Sequence, residues 1–127
     1  MLLIRLGTLR RSPTPDRHFI GYAPDMSADD LRDAARMYWR LDGERARRVR
    51  YLVISANRQV LDACEVAPEG LTFVEDVDGS RRIAFTITDI TDSGLKQRLL
   101  TMATHRLGQL RPGTRNPFIY LRGDTEN

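Results

Sequence analysis

The sequence predicts an α+β domain, a small curved mixed β-sheet or barrel with two or three flanking helices. Three observations lead there. Five or six short segments read as strands. Two pairs of them flank turn residues and read as hairpins. Two other stretches repeat their apolar residues at helical spacing. With 127 residues, 41% hydrophobic and 29% charged, the composition suits one globular domain over 1–127 and excludes wholesale disorder or a coiled coil.

The elements follow in chain order. Residues 1–6 read as a short strand. Residues 12–25 hold three prolines and a glycine, which predicts a loop or turn-rich arm. Ser27 followed by Asp30 resembles a capping box with Asp in place of Glu. Leu31, Ala34, Ala35 and Tyr38 then predict a helix over about 28–39, and Asp42 opens a second short helical segment, GERARR. Residues 50–56 and 59–66 flank Asn57-Arg58 as a hairpin. Pro68-Glu69-Gly70 predicts a break. Residues 71–77 and 81–88 then flank Asp78-Gly79-Ser80 as a second hairpin. In its last strand Ile83, Phe85 and Ile87 share one face and Arg82, Ala84, Thr86 and Thr88 the other, which predicts a sheet with one solvated side. Asp92 or Ser93 caps a helix over about 94–107, with Leu95, Leu99, Met102, Ala103 and Leu107 inward and Gly108 just past its end. Residues 111–117 form a loop and 118–122 a last strand.

Composition narrows the function classes. No apolar run approaches the roughly 20 residues of a membrane helix, and MLLIRLGTLRR lacks the layout of a signal peptide, so a cytoplasmic protein away from membranes is expected. A single cysteine, Cys64, rules out an internal disulfide framework and a thiolate zinc cluster, and it reads as buried and inert. His18 and His105 are isolated and cannot close a zinc site, so no metal and no cofactor is expected. No nucleophile–base pattern has supporting context, and the chain reads as a binding module rather than an enzyme.

Charge gives the clearest direction. Of 20 basic residues only Lys96 is lysine. Codon bias accounts for such a ratio, but the layout along the chain is separate information. Residues 1–58 carry net +5, residues 59–95 net −6 and residues 96–127 net +4. Basic ends brought together by the fold would make a face that attracts polyanions. The acids of the middle (Asp62, Glu65, Glu69, Glu75, Asp76, Asp78, Asp89 and Asp92) read as a solvated face, and Asp89 with Asp92 is the one pair placed to hold a cation.

Two segments carry candidate binding residues. Trp39 sits where the first helix runs out, and Arg40, Arg45, Arg47, Arg48 and Arg50 follow it. A flat ring beside guanidinium groups suits a nucleobase and its phosphate, although Trp39 is equally explained as a core residue at a helix end. In the loop 111–117, Arg111, Gly113, Thr114, Arg115 and Asn116 offer backbone N–H groups and charge to a phosphate, while Asn116-Pro117 also reads as a plain turn. Residues 103–123 contain no acid.

Trp39-Arg40 at a helix end, the basic segment GERARR, the strand YLVIS, the pair around VLDACEV, the Arg82–Phe85 strand and the stretch from Gly113 through Asn116-Pro117 to Tyr120 together resemble PUA-like domains, the superfamily that includes EVE and ASCH domains. The similarity spans about residues 37–121. It implies a strongly bent β-barrel with flanking helices that recognises RNA or a modified base in DNA, often in an aromatic cage. Carried over residue by residue, it points to Trp39, Arg40, Asn116 and Tyr120.

The expected function is therefore nucleic-acid binding or modified-base sensing, through Trp39, Arg40, Arg45, Arg47, Arg48, Arg111, Arg115, Asn116 and Tyr120, with RNA or DNA as partner. The alternative is a protein-interaction or regulatory module, phage-encoded or a DNA mimic, acting through its acidic middle or basic ends.

Overall fold

The computed structural model describes residues 1–7, 10–11, 19–20, 23–36, 43–75, 79, 81–110 and 118–121. In order these form β1 (Leu2–Leu6), β2 (Arg10–Arg11), β3 (Phe19–Ile20), α1 (Ala28–Arg36), α2 (Gly43–Ala46), β4 (Tyr51–Ala56), β5 (Gln59–Glu75), β6 (Arg81–Asp89), α3 (Ser93–Gly108) and β7 (Phe118–Tyr120). The main sheet runs β6-β5-β4-β1-β7, and β2 pairs with β3 separately. Within the main sheet β1 and β4 are parallel and every other pair is antiparallel. The α+β, mixed-sheet expectation holds, and part of the 12–25 arm is a strand, since Phe19 pairs with Arg11.

A parallel pair needs a crossover, and α1 and α2 lie in the connection between β1 and β4. They pack Leu31, Ala34, Ala35, Ala46 and Val49 against Leu2, Ile4, Leu52, Ile54, Ile83 and Phe85 on one face of the sheet. On the other face α3 packs Leu99, Ala103 and Leu107 against Met1, Leu3, Val53 and Ala63. Leu95 and Met102, expected inward, are partly buried at the margin of that second core. The expectation of one solvated face is thus corrected for the first half of β6. Arg82 and Ala84 are buried as well as Ile83 and Phe85, whereas Thr86 and Thr88 are exposed as expected. The continuous apolar runs of β1 and β4 are what such a doubly covered strand requires.

Local chemistry fixes the turns and caps. Asn57 and Arg58 both take positive φ, 51° and 63°, which is the backbone of a two-residue hairpin turn matched to strand twist. The Ser27 hydroxyl accepts from the Asp30 N–H at 3.1 Å. The Asp92 carboxylate caps α3 by accepting from the Gly94 and Leu95 N–H groups. Gly108 stays helical rather than closing α3, and Gln109 is the C-cap.

The expected break at Pro68-Glu69-Gly70 is instead a bulge within one long strand. Val66 pairs with Ile87 and Leu71 with Phe85, so residues 67–70 of β5 stand opposite Thr86 alone. Proline is tolerated at such a point because no ladder N–H is needed from it. Gly70 takes φ of 72°, a conformation that a side chain would strain. The extra residues bend β5 and curve the sheet.

The acidic middle is not uniformly solvated. Glu65, Glu75, Asp89 and Asp92 are exposed, but Asp62 is partly buried at the start of β5. There Arg32 of α1 and Lys96 of α3 reach it from the two opposite layers, each at 3.0 Å. Arg32 also binds Asp89. Burial raises the Asp62 carboxyl, but the hydrogen bonds from Lys96 and Arg32 outweigh that and hold it below its usual range. Asp89 and Asp92 are therefore occupied by Arg32 and by the α3 cap, not poised for a cation.

Candidate functional site

The second helical segment is short, and two small side chains anchor it. Ala46 and Val49 are buried in the first core, while Glu44, Arg45, Arg47, Arg48 and Arg50 are exposed around them. A helix this short is held by its tertiary contacts rather than by its own propensity. It presents arginines beside the sheet because its buried positions, three apart, leave the flanking positions outward.

Two of these arginines meet aromatic rings. The Arg45 guanidinium lies 3.9 Å from the centroid of the Tyr120 ring on β7. Phe118 touches Tyr120 edge-on, with centroids 6.4 Å apart and planes at 77°. Arg47 lies 6.0 Å from the ring of Phe73. Arg81, on the neighbouring strand, lies 4.3 Å from the same ring. Arg81 sits diagonally across from Phe73, since Phe73 pairs with Ile83 and Glu75 with Arg81, and a long side chain spans that diagonal.

Between the Ala46–Val49 segment and the bent half of β5 lies a groove of about 440 Å³, floored by Val66, Gly70 and Leu71 and edged by Arg47 and Phe73. The volume falls in the range of small-ligand sites. Phe73 is 41% exposed, a large apolar ring left open to solvent. The bulge at 67–70 aims this half of β5 and so shapes the groove. Glu44 faces Arg47 at 3.4 Å, a loose exposed pair that leaves the guanidinium free to re-pair.

The structure joins some of the expected site residues and separates others. Arg45 and Tyr120, 75 positions apart in sequence, are in contact. Arg47 and Arg48 belong to the same segment. Trp39, Arg40, Arg111, Arg115 and Asn116 lie outside the described residues. Arg106 is carried by α3, on the other side of the sheet from α2, so it does not share a face with the α2 arginines. Sequence reasoning missed Phe73 and Arg81. The signal was the second hairpin, but only its register shows that the two side chains meet.

Cys64 is fully buried, and burial, with Asp62 next, pushes its thiol up to about 11. It has no nucleophilic character at neutral pH. No three His, Cys, Asp or Glu side chains are grouped to hold a metal among the described residues, and no helix among them is long and apolar enough to cross a membrane. No family model, curated protein or solved structure matches this chain.

Proposed function

We propose that this chain is a non-catalytic nucleic-acid-binding domain that uses α2 and the bent half of β5. The observation that carries the reading is Arg47 and Arg81 beside the exposed Phe73 ring at the edge of an open groove, with Arg45 of the same segment on the Tyr120 ring. Guanidinium groups bind phosphate through paired donors, and an exposed ring stacks on any base. The curved mixed sheet with helices on both faces is compatible with the PUA-like scaffold that the sequence resembles, and RNA or a modified base in DNA is the ligand class that resemblance implies. The rival reading, a protein docked on the acidic middle, is weakened by Asp62 being engaged by Arg32 and Lys96.

The test is a titration of RNA, unmodified DNA and base-modified DNA across a salt series. Affinity should fall with salt at a log–log slope of about −0.9 per phosphate neutralised on B-DNA. Arg45→Ala, Arg47→Ala and Arg48→Ala should each weaken binding to all sequences and reduce the slope by about one contact. Absence of binding to all three, or affinity indifferent to salt, overturns the proposal.

A further inference from the structure

Leu71 and Phe73, two apart on β5, pair with Phe85 and Ile83 of β6 and share a face of the sheet with them. Ile83 and Phe85 are buried on that face in the first core, whereas Leu71 is only partly buried and Phe73 is exposed. The apolar row therefore runs out of the core into the groove and ends on a ring that water reaches. Arg81 covers that ring from 4.3 Å and Arg47 approaches it to 6.0 Å, so two cations stand beside one accessible aromatic side chain. Among the described residues that line the groove, only Arg47 has a polar side chain.

We infer that the groove takes one unpaired base of a single-stranded nucleic acid, stacked on Phe73, and reads the face of that base rather than its edge. This rests on the nucleic-acid reading and narrows it. In a duplex the faces of each base are covered by its neighbours in the stack, so an aromatic ring finds no partner there. An unpaired base brings a free face. The groove volume of about 440 Å³ is that of a small-ligand site, and it admits one nucleotide-sized group rather than a double helix. Telling one base from another takes donors and acceptors set against the base edge. The lining supplies one such side chain, Arg47, and its charge is drawn to the strand's phosphates. Every base has a π face, so the selection is for single strand and not for sequence.

Charge alone gives the opposite preference. B-DNA carries the higher charge density, and each phosphate neutralised contributes about 0.9 to its salt slope against about 0.7 on a single strand. A domain held only by its arginines therefore favours duplex, and a preference for single strand reports the ring.

Fluorescence anisotropy with the full chain separates these cases. The probes are a labelled single-stranded DNA of mixed sequence, the same strand annealed to its complement, a strand of equal length that is abasic throughout, and homopolymers of thymine, cytosine and adenine. The mixed single strand should bind about 5- to 150-fold tighter than the duplex and the abasic strand, the factor that stacking one base gives. The homopolymers should agree within about tenfold, since no side-chain edge contact sorts them. Phe73→Leu should bring the single strand to the level of the abasic strand and leave duplex affinity unchanged, while Phe73→Tyr should keep the preference. Thermal melts confirm that each variant is folded. A duplex or abasic strand bound within about fivefold of the single strand overturns the inference and leaves nucleic-acid binding standing. So does a homopolymer preference above about tenfold, or a Phe73→Leu protein that still prefers single strand. Absence of binding to every probe also overturns it, and the titration with RNA and base-modified DNA then decides whether the nucleic-acid reading falls as well.

Discussion

Replacing Asp62 tests how the two helical layers are fastened together. Its carboxylate accepts from Arg32 Nε at 3.0 Å, from Lys96 Nζ at 3.0 Å and from the Ala63 N–H at 2.9 Å. The Asp62 side chain is 13% exposed, against 24% for Arg32 and 36% for Lys96. Hydrogen bonds to charged groups contribute about 1.5–3 kcal/mol each when buried. Here the cations are partly hydrated, which cuts that figure. Arg32 keeps Asp89 when Asp62 is lost, and Lys96 returns to water. Asp62→Ala should therefore cost about 2 kcal/mol, less than the 3–5 of a fully buried broken pair. For a domain of this size that is a fall of roughly 8 °C in Tm, read by circular dichroism at pH 7.

The pH dependence separates this clamp from simple packing. Asp62 has a folded pKa below its unfolded one, so its contribution is fully present above the ordinary carboxylate pKa of about 3.9. It is lost as pH falls through the lower folded value. Asp62→Asn should melt below wild type at neutral pH and lose part of the wild-type acid limb. A double-mutant cycle with Lys96→Met should give a positive coupling energy. An Asp62→Asn protein that melts within about 0.5 kcal/mol of wild type at pH 7 and keeps the same acid limb refutes the clamp.

Other expectations follow from the same geometry. Phe73→Ala should lower nucleic-acid affinity by about 1–3 kcal/mol in the titration, while Tm changes little because the ring is exposed. Leu99→Ala empties a fully buried site between α3 and the sheet and should cost about 2–5 kcal/mol by denaturant unfolding. Native Cys64 should resist thiol reagents at pH 8 and react only at the rate of unfolding. Because its thiol is raised to about 11, the stability tied to the neutral thiol is complete below pH 9 and declines between pH 9 and 11. Cys64→Ala should remove that alkaline decline.

How much of this was legible in the sequence depends on the range of the interaction. The Asn57-Arg58 turn, the Ser27 and Asp92 caps and the extent of α3 were all readable, because each is settled within a few residues. Two local signals misled. Pro68 and Gly70 look like a stop, but β5 resumes its pairing with β6 at Leu71 and absorbs them as a bulge. The alternation of β6 looks like one wet face, but Arg82 and Ala84 on that face are buried and only Thr86 and Thr88 are exposed. The site was legible in part. The arginine run of α2 stood out in composition, whereas its contacts with Tyr120 and Phe73 arise from β7 joining the sheet beside β1 and from the bend in β5. Neither follows from spacing.

The charge segregation along the chain takes on a structural meaning once the fold is known. Part of the acidic middle holds the layers together, since Asp62 and Asp89 are engaged by Arg32 from the first basic segment and Lys96 from the last. Such pairing removes positive and negative charge together from the surface. Among the arginines it leaves, 45, 47, 48 and 50 stand exposed along one short segment, and Arg47 edges the groove beside Phe73. A solvated arginine has little reason to lie across an aromatic ring unless the ring is accessible and the contact offsets lost hydration, about 0.5–1 kcal/mol at an exposed site. Two such contacts within one short segment, Arg45 on Tyr120 and Arg47 near Phe73, therefore hold the guanidinium groups in place before any ligand arrives. Ordering these long side chains in advance lowers the entropy cost of binding a phosphate. This is why the reading rests on α2 and not on net charge, which at +3 is too small to distinguish a polyanion binder from any other basic domain.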